Sequence, residues 1–438
     1  MEFQQRKLRV ALAIILIGLA VALAWHGWQG WGLGRGYPYN TFLLTPELRF
    51  SDFTDYLHYA RSFDPYSGPP GHCNLTPASY LFLYPLMNLP TDTAMWLYLG
   101  VGAFGLFLLL ERALRAVVPQ TAWRLLAASG FLLSYPVIYA FDRGNNDLLL
   151  VPLTALSLVL YSRKKFTAGF LCLLPPICCK IYPALLLLLF LRRRLIHWAI
   201  LAPVVFLVIN WLALLTFISP VAESWTDYQM QLRTYNNAYN LGHYGIAASA
   251  SAWNLFTIFA WLVYAVSHGS LNPPLPPDFT LDAYYLYNGL CLLLLGWVLF
   301  HVLIVEKVFV RRAIVLLLDL TVSLPGGGDY KLMYAGLALV ILVVARERRP
   351  ADLIVTAVLA LALIPKREIL LPFLGHSDSG YRDASLNVIV NPLCLLLAMA
   401  LLMWDGWQLA RPLNFSRGLA KLARVVRVGW LTPARPRR

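Results

Sequence analysis

The stretch Arg163-Lys164-Lys165-Phe166-Thr167-Ala168-Gly169-Phe170-Leu171-Cys172-Leu173-Leu174-Pro175-Pro176-Ile177-Cys178-Cys179-Lys180-Ile181-Tyr182-Pro183, running on through apolar residues to Arg192-Arg193-Arg194, decides the fold. Two basic clusters bracket one apolar stretch, the arrangement of a chain that enters a bilayer and returns to the same side. Each half, divided at Pro175-Pro176 and Lys180, is only about a dozen residues, short for a full crossing of roughly 20. The sequence therefore predicts two short helices or a re-entrant pair with a broken tip at Lys180-Ile181-Tyr182-Pro183. Irregular backbone at membrane depth survives only where protein or a water-filled cavity surrounds it.

The rest of the 438 residues agrees with a polytopic membrane protein: 59% are hydrophobic, and only 13% are Asp, Glu, Lys or Arg. A soluble core could not hide that much apolar surface. The net charge of +14 sits in short clusters between apolar runs, which suits anionic headgroups and orientation rather than nucleic acid. Residues 8–25, 92–110, 125–141, 148–161, 195–218, 283–305, 313–324, 332–345, 353–371 and 386–409 read as further membrane segments, with 253–267 left between interfacial and spanning. Together with the broken pair they give an all-α bundle of about 12 transmembrane helices with both termini inside. The transmembrane unit is expected over residues 1–410. Residues 411–438, where Leu419, Leu422, Val425 and Val426 alternate with Arg417, Lys421, Arg424 and Arg427, are expected to lie as a basic amphipathic tail on the inner leaflet.

This topology sends the polar residues to one side. Asp52, Asp55, Asp142, Arg143, Asn145, Asn146, Asp147, Lys180, Asp329, Tyr330 and Lys331 fall on the outer face, and the inner face keeps mostly simple basic turns. Ionisable groups at membrane depth are costly and usually line a cavity or pathway. An outward-facing cavity with both signs of charge suits an anionic lipid headgroup and a hydroxyl acceptor. If residues 51–61 are helical, Asp52, Asp55 and Tyr56 share a face. The six cysteines and His58, His72 and His243 show no metal-ligand spacing, so neither a metal nor a cofactor is expected.

The Asp52-Phe53-Thr54-Asp55-Tyr56 motif after the first span, Asp64-Pro65-Tyr66 a dozen residues on, and the aromatic-proline run Tyr80 to Pro90 resemble the GT-C superfamily of integral-membrane glycosyltransferases. Within it the chain is similar to glycosyltransferase family 87, relatives of polyprenol-phosphate-mannose-dependent mannosyltransferases. Arg143-Gly144-Asn145-Asn146-Asp147, Ala168-Gly169 and Lys180-Ile181-Tyr182-Pro183 extend the resemblance, which covers residues 40–195. Downstream, Asn240-Leu241-Gly242-His243 and Gly328-Asp329-Tyr330-Lys331 depart from the family's pattern.

The resemblance implies an inverting hexosyltransferase, with mannose as the family's sugar, that moves the sugar from a polyprenyl phosphate to a lipid-linked or cell-envelope acceptor. It implies Asp52 as the base, with Asp55 in reserve and Tyr56 beside it. Arg143, Lys180 and Lys331 are the candidates for the donor phosphate. Asn145, Asn146, Tyr182, His243, Asp329 and Tyr330 are the candidates for sugar or acceptor. A bacterial inner membrane with the site facing the periplasm or exterior fits. The rival reading is a lipid or lipid-linked-sugar transporter, since a charged cavity between broken helices also describes secondary transporters; no internal repeat supports it.

Overall fold

A computed structural model describes residues 1–43, 46–68, 73–192, 195–237, 251–269, 277–323, 328–366 and 385–410. Within them the chain forms helices and turns and no strand. In chain order the helices are α1 (Glu2–Gly27), α2 (Ser51–Ser62), α3 (Pro77–Leu81), α4 (Thr91–Leu114), α5 (Thr121–Leu132), α6 (Tyr135–Arg143), α7 (Asp147–Ser162), α8 (Phe166–Cys179) and α9 (Leu188–Arg192). They continue as α10 (Ile196–Leu214), α11 (Val221–Asn236), α12 (Ala252–Ser267), α13 (Pro277–Phe300), α14 (Phe309–Val322), α15 (Leu332–Val344), α16 (Asp352–Ala362) and α17 (Leu386–Ala410).

Among the described residues, five helical stretches are long and apolar enough to cross a bilayer: Glu2–Gly32, Thr91–Leu114, Ile196–Leu214, Leu281–Val305 and Leu386–Ala410. Counting the pair α5 and α6, bent by 61°, as one span gives a sixth. By length and composition the described residues supply five or six such spans, and the expected total of about 12 is not established by them. The physical reason is visible in α14, whose residues Arg311 to Val322 are all buried. At 1.5 Å per residue it is about 21 Å long, short of a roughly 30 Å hydrocarbon core, yet it sits among α15, α17 and α13 rather than against lipid. The outer ring looks different: on α1, Ala11 and Ile15 are buried while Ile17, Val21 and Leu23 are exposed, as a lipid-facing helix requires.

One of the two interruptions expected in the Phe166 stretch is corrected. Pro175 and Pro176 do not break the chain; both lie inside α8, which runs on to Cys179. A proline removes one N–H and crowds the carbonyl four residues back, and packing of α8 against α7, α10 and α3 carries the helix through. The break falls at Lys180, at the tip the sequence predicts: Lys180 takes up an extended conformation before a 3₁₀ turn, Tyr182–Leu187. After Ser219 the chain forms a further helix, α11.

The end expected to face inward is not a set of simple basic turns. Arg311, 3% exposed, binds Asp352 and lies 3.0 Å from Asp405. Arg349 grips Glu306 with two hydrogen bonds of 3.0 Å. Lys7 donates to the carbonyl of Leu342 at 2.5 Å. This cluster ties α1, α14, α16 and α17 together at the C-terminal end of α15. The candidate site lies at the other end of that helix, roughly 20 Å away for 13 residues.

Candidate active site

Two left-handed residues position the site. Helix α6 ends at Gly144, φ +68, and α2 begins after Phe50, φ +58. The Phe50 N–H donates to the Asp142 carbonyl at 2.7 Å, so the two helix ends are pinned together. Gly144 is required there, because a Cβ would stand 2.7 Å from Phe53 Cβ. This docking turns Asp52, in the first turn of α2, toward Arg143, the last residue of α6.

The Asp52 carboxylate is buried, 7% exposed, and both its oxygens are engaged. Oδ1 accepts from Arg143 Nε at 3.0 Å and from Arg143 Nη2, and Oδ2 accepts from Asn145 Nδ2 at 2.7 Å. The Asn145 amide then continues the network: its Oδ1 accepts from Lys180 Nζ at 3.1 Å and from the Asp147 N–H at 3.0 Å. Lys180 Nζ donates to Asp147 Oδ2, and the Tyr182 hydroxyl to Asp147 Oδ1, each at 2.9 Å. Asp147 opens α7, where the positive end of the helix dipole favours a carboxylate.

A second layer of aromatic rings holds the cations. Lys180 Nζ lies 4.8 Å from the centre of the Tyr330 ring, and Lys331 Nζ lies 5.4 Å from that of Tyr182. The Lys-Ile-Tyr and Tyr-Lys segments thus interlock, each lysine over the other segment's tyrosine, an attraction stronger away from water. Tyr330 in turn stacks on Tyr139 with ring centres 6.4 Å apart. Burial, helped by the like charge of Lys180, pushes the Lys331 amine down to about 8. Burial, then the Asp52 charge, pushes the Tyr56 phenol well above its usual range, so Tyr56 acts as a neutral hydroxyl beside the carboxylate.

The remaining sequence candidates fall in different places. Asp55 is exposed on α2 while Asp52 is buried, so the two do not present the same surface. Asp329 is fully buried; its Oδ2 accepts from the Tyr135 hydroxyl at 2.8 Å and from Asn387 Nδ2. That geometry ties α6 and α17 together and does not bring Asp329 to Asp52. Asn146 is half-buried, and its Oδ1 has no hydrogen-bond partner; it makes no side-chain cap on α7. His243 lies outside the described residues. Tyr66 of the Asp-Pro-Tyr motif is buried, its hydroxyl bound to the Leu75 carbonyl at 2.8 Å, and Tyr228 packs on its ring. Asp147, placed on the outer face without a role, proves to be the partner of both Lys180 and Tyr182. Its signal was present in the sequence: an acid opening an apolar helix near an intramembrane lysine.

The arrangement can therefore present a carboxylate and two cations within one connected network, Asp52 with Arg143 and Lys180, and a third cation, Lys331, over the Tyr182 ring. Comparison with curated proteins gives no match, and comparison with solved structures gives none. The family model for glycosyltransferase family 87 matches residues 76–325, more than half of the chain. The match takes in Arg143, Asn145, Asn146, Asp147, Lys180 and Tyr182, reaches well past residue 195, and begins after the segment that carries Asp52. On this match the chain, a helical membrane protein, belongs to glycosyltransferase family 87.

Proposed function

We propose that the protein is an inverting hexosyltransferase that takes its sugar, mannose by family resemblance, from a polyprenyl-phosphate donor and passes it to a lipid-linked or cell-envelope acceptor. The observation that carries the reading is the network joining Asp52 to Arg143, Asn145, Lys180 and Asp147. A phosphodiester between sugar and polyprenol carries one negative charge, which the cations Arg143 and Lys180 of this network suit.

In the proposed reaction the donor phosphate takes hydrogen bonds from Arg143, which loosens its hold on Asp52 Oδ1. The freed oxygen accepts the proton of the acceptor hydroxyl. The acceptor oxygen bonds to the anomeric carbon as the bond from that carbon to the phosphate oxygen breaks, and the configuration inverts by the same logic as a single displacement in glycoside hydrolysis. Polyprenyl phosphate leaves with one more negative charge than the bound phosphodiester, and Lys180 and Lys331 stabilise that growing charge. The unspent Asn146 Oδ1 suits a sugar hydroxyl donor. We place the site on the periplasmic or exterior side of a bacterial inner membrane, with the shorter apolar helices filling the bundle interior. Neither the fold nor the family match supports the transporter reading.

The test is transfer of labelled sugar from synthetic polyprenyl-phosphate-mannose and polyprenyl-phosphate-glucose in membranes that hold the full chain, with extracted lipid and polymer as acceptors. The expected product carries the anomeric configuration opposite to the donor's. Transfer from a nucleotide sugar alone, retention of configuration, or donor moved across the bilayer without product would overturn the proposal.

A further inference from the structure

Asp147 is fully buried, yet it is the second carboxylate of the network and binds no group that the reaction above uses as a base. A buried carboxylate is costly unless it is paired and hydrogen-bonded. Here both oxygens are satisfied, one by Lys180 Nζ and one by the Tyr182 hydroxyl. The Lys180 side chain is 13% exposed, so its ammonium also lies mostly out of water.

The spacing of charges gives this pair a purpose. Lys180 and Asp52 are separated by a single amide, Asn145, which donates to Asp52 at 2.7 Å and accepts from Lys180 at 3.1 Å. With Asp147 removed, the carboxylate that remains in the hydrogen-bond network of Lys180 is Asp52, across that amide. Lys180 would then be drawn onto the carboxylate meant to accept a proton and away from the place where phosphate charge develops. Asp147 divides the charges: Arg143 faces Asp52, Lys180 faces Asp147, and Asn145 spaces the two pairs. Its seat at the N-terminus of α7, with its own N–H held by Asn145 Oδ1 at 3.0 Å, fixes the carboxylate against the scaffold.

We propose that Asp147 is a positioning residue that acts through Lys180, anchoring the ammonium against Asn145 and off Asp52 so that it meets the donor phosphate. The inference rests on the donor and base assignments of the proposed function.

A double-mutant cycle tests it, with wild type, Asp147→Asn, Lys180→Met and the double variant assayed as full-length chains in lipid nanodiscs. Lys180→Met is expected to raise the donor KM at least about tenfold, the scale of one lost charged contact. Asp147→Asn is expected to lower kcat by about 30-fold and to change the donor KM as well. The double variant should match Lys180→Met within about twofold, because residues that work as one unit do not add. Multiplying effects, or a loss of kcat in Asp147→Asn at unchanged KM as a smaller folded fraction would give, overturns the proposal. Where Asp147→Asn does not fold, the double variant, which leaves no unpaired buried charge, is compared with Lys180→Met alone; a further tenfold loss overturns the proposal and equality supports it. A wild type that transfers no sugar removes the functional reading instead, and the same cycle read as polyprenyl phosphate affinity then decides the Asp147 inference.

Discussion

Replacing Gly144 by alanine probes how the site is assembled without touching any group that meets substrate. Two costs follow from the structure. A residue with a Cβ at φ +68 sits in the left-handed region, which costs about 1–2 kcal/mol. The new Cβ would also stand 2.7 Å from Phe53 Cβ, 3.3 Å from Phe53 N and 3.4 Å from the Phe50 carbonyl oxygen. Two of those three atoms are backbone of the start of α2, so the clash is relieved only by moving that helix start, and overpacking of this kind costs about 1–3 kcal/mol. The sum, about 2–5 kcal/mol, is large against typical stability. The motion matters more than the energy, because α2 carries Asp52, and a shift of about 1 Å at a reacting group can cost roughly 100-fold in rate. The assay is unfolding in detergent together with sugar transfer in membranes. Gly100→Ala on α4 serves as the control, since a Cβ there meets nothing within 4 Å. Unchanged stability and a rate within about twofold of wild type for Gly144→Ala would refute the argument that α2 is docked on Gly144 to aim Asp52.

Other consequences are equally direct. Arg143→Lys keeps the charge but cannot reproduce two N–H bonds to one carboxylate oxygen, so kcat/KM for transfer should fall about 100-fold with the fold retained. Lys331 should set an alkaline limit on donor binding: with the amine at about 8, the ammonium is present below that pH and lost above it, so the donor KM rises above about pH 8 and Lys331→Arg flattens the profile. The same shift below the usual 10.5 means that the charged amine costs folding stability below about pH 8, a cost that fades as pH climbs toward 10.5. At the end of α15 away from the site, Arg311→Leu leaves Asp352 and Asp405 without their shared cation, which should destabilise the chain by about 3–5 kcal/mol. Adding Asp352→Asn should recover part of that loss in thermal unfolding, and no recovery would contradict the pairing.

Much of the site was legible because its residues break the rules of their surroundings. A lysine inside an apolar stretch, and the Arg143 to Asp147 cluster between two apolar runs, are expensive in a membrane, and Lys180, Asn145 and Asp147 do meet. Contacts between distant parts of the chain were not legible. Arg311 and Asp405 lie 94 residues apart, and nothing local in the sequence says that they share a buried cluster. Asp329 looked like a loop acid after three glycines, and only the approach of Asn387, 58 residues on, makes it a buried tie. The count of spans is harder to read for a related reason: an apolar run reports that a segment avoids water, and cannot tell lipid from a helical interior, as buried α14 shows. In the Phe166 stretch the break at Lys180 was legible, whereas the passage of α8 through its two prolines is set by packing around it.

The most direct measurement is sugar transfer from polyprenyl-phosphate-mannose by wild type and by Asp52→Asn, an isosteric change that keeps an acceptor for Arg143 and removes the proton-accepting charge. The account predicts product from wild type, at least about 10²–10⁴-fold less from the variant, as for loss of a general base, and equal binding of polyprenyl phosphate by both. Turnover by Asp52→Asn within a few fold of wild type would contradict it.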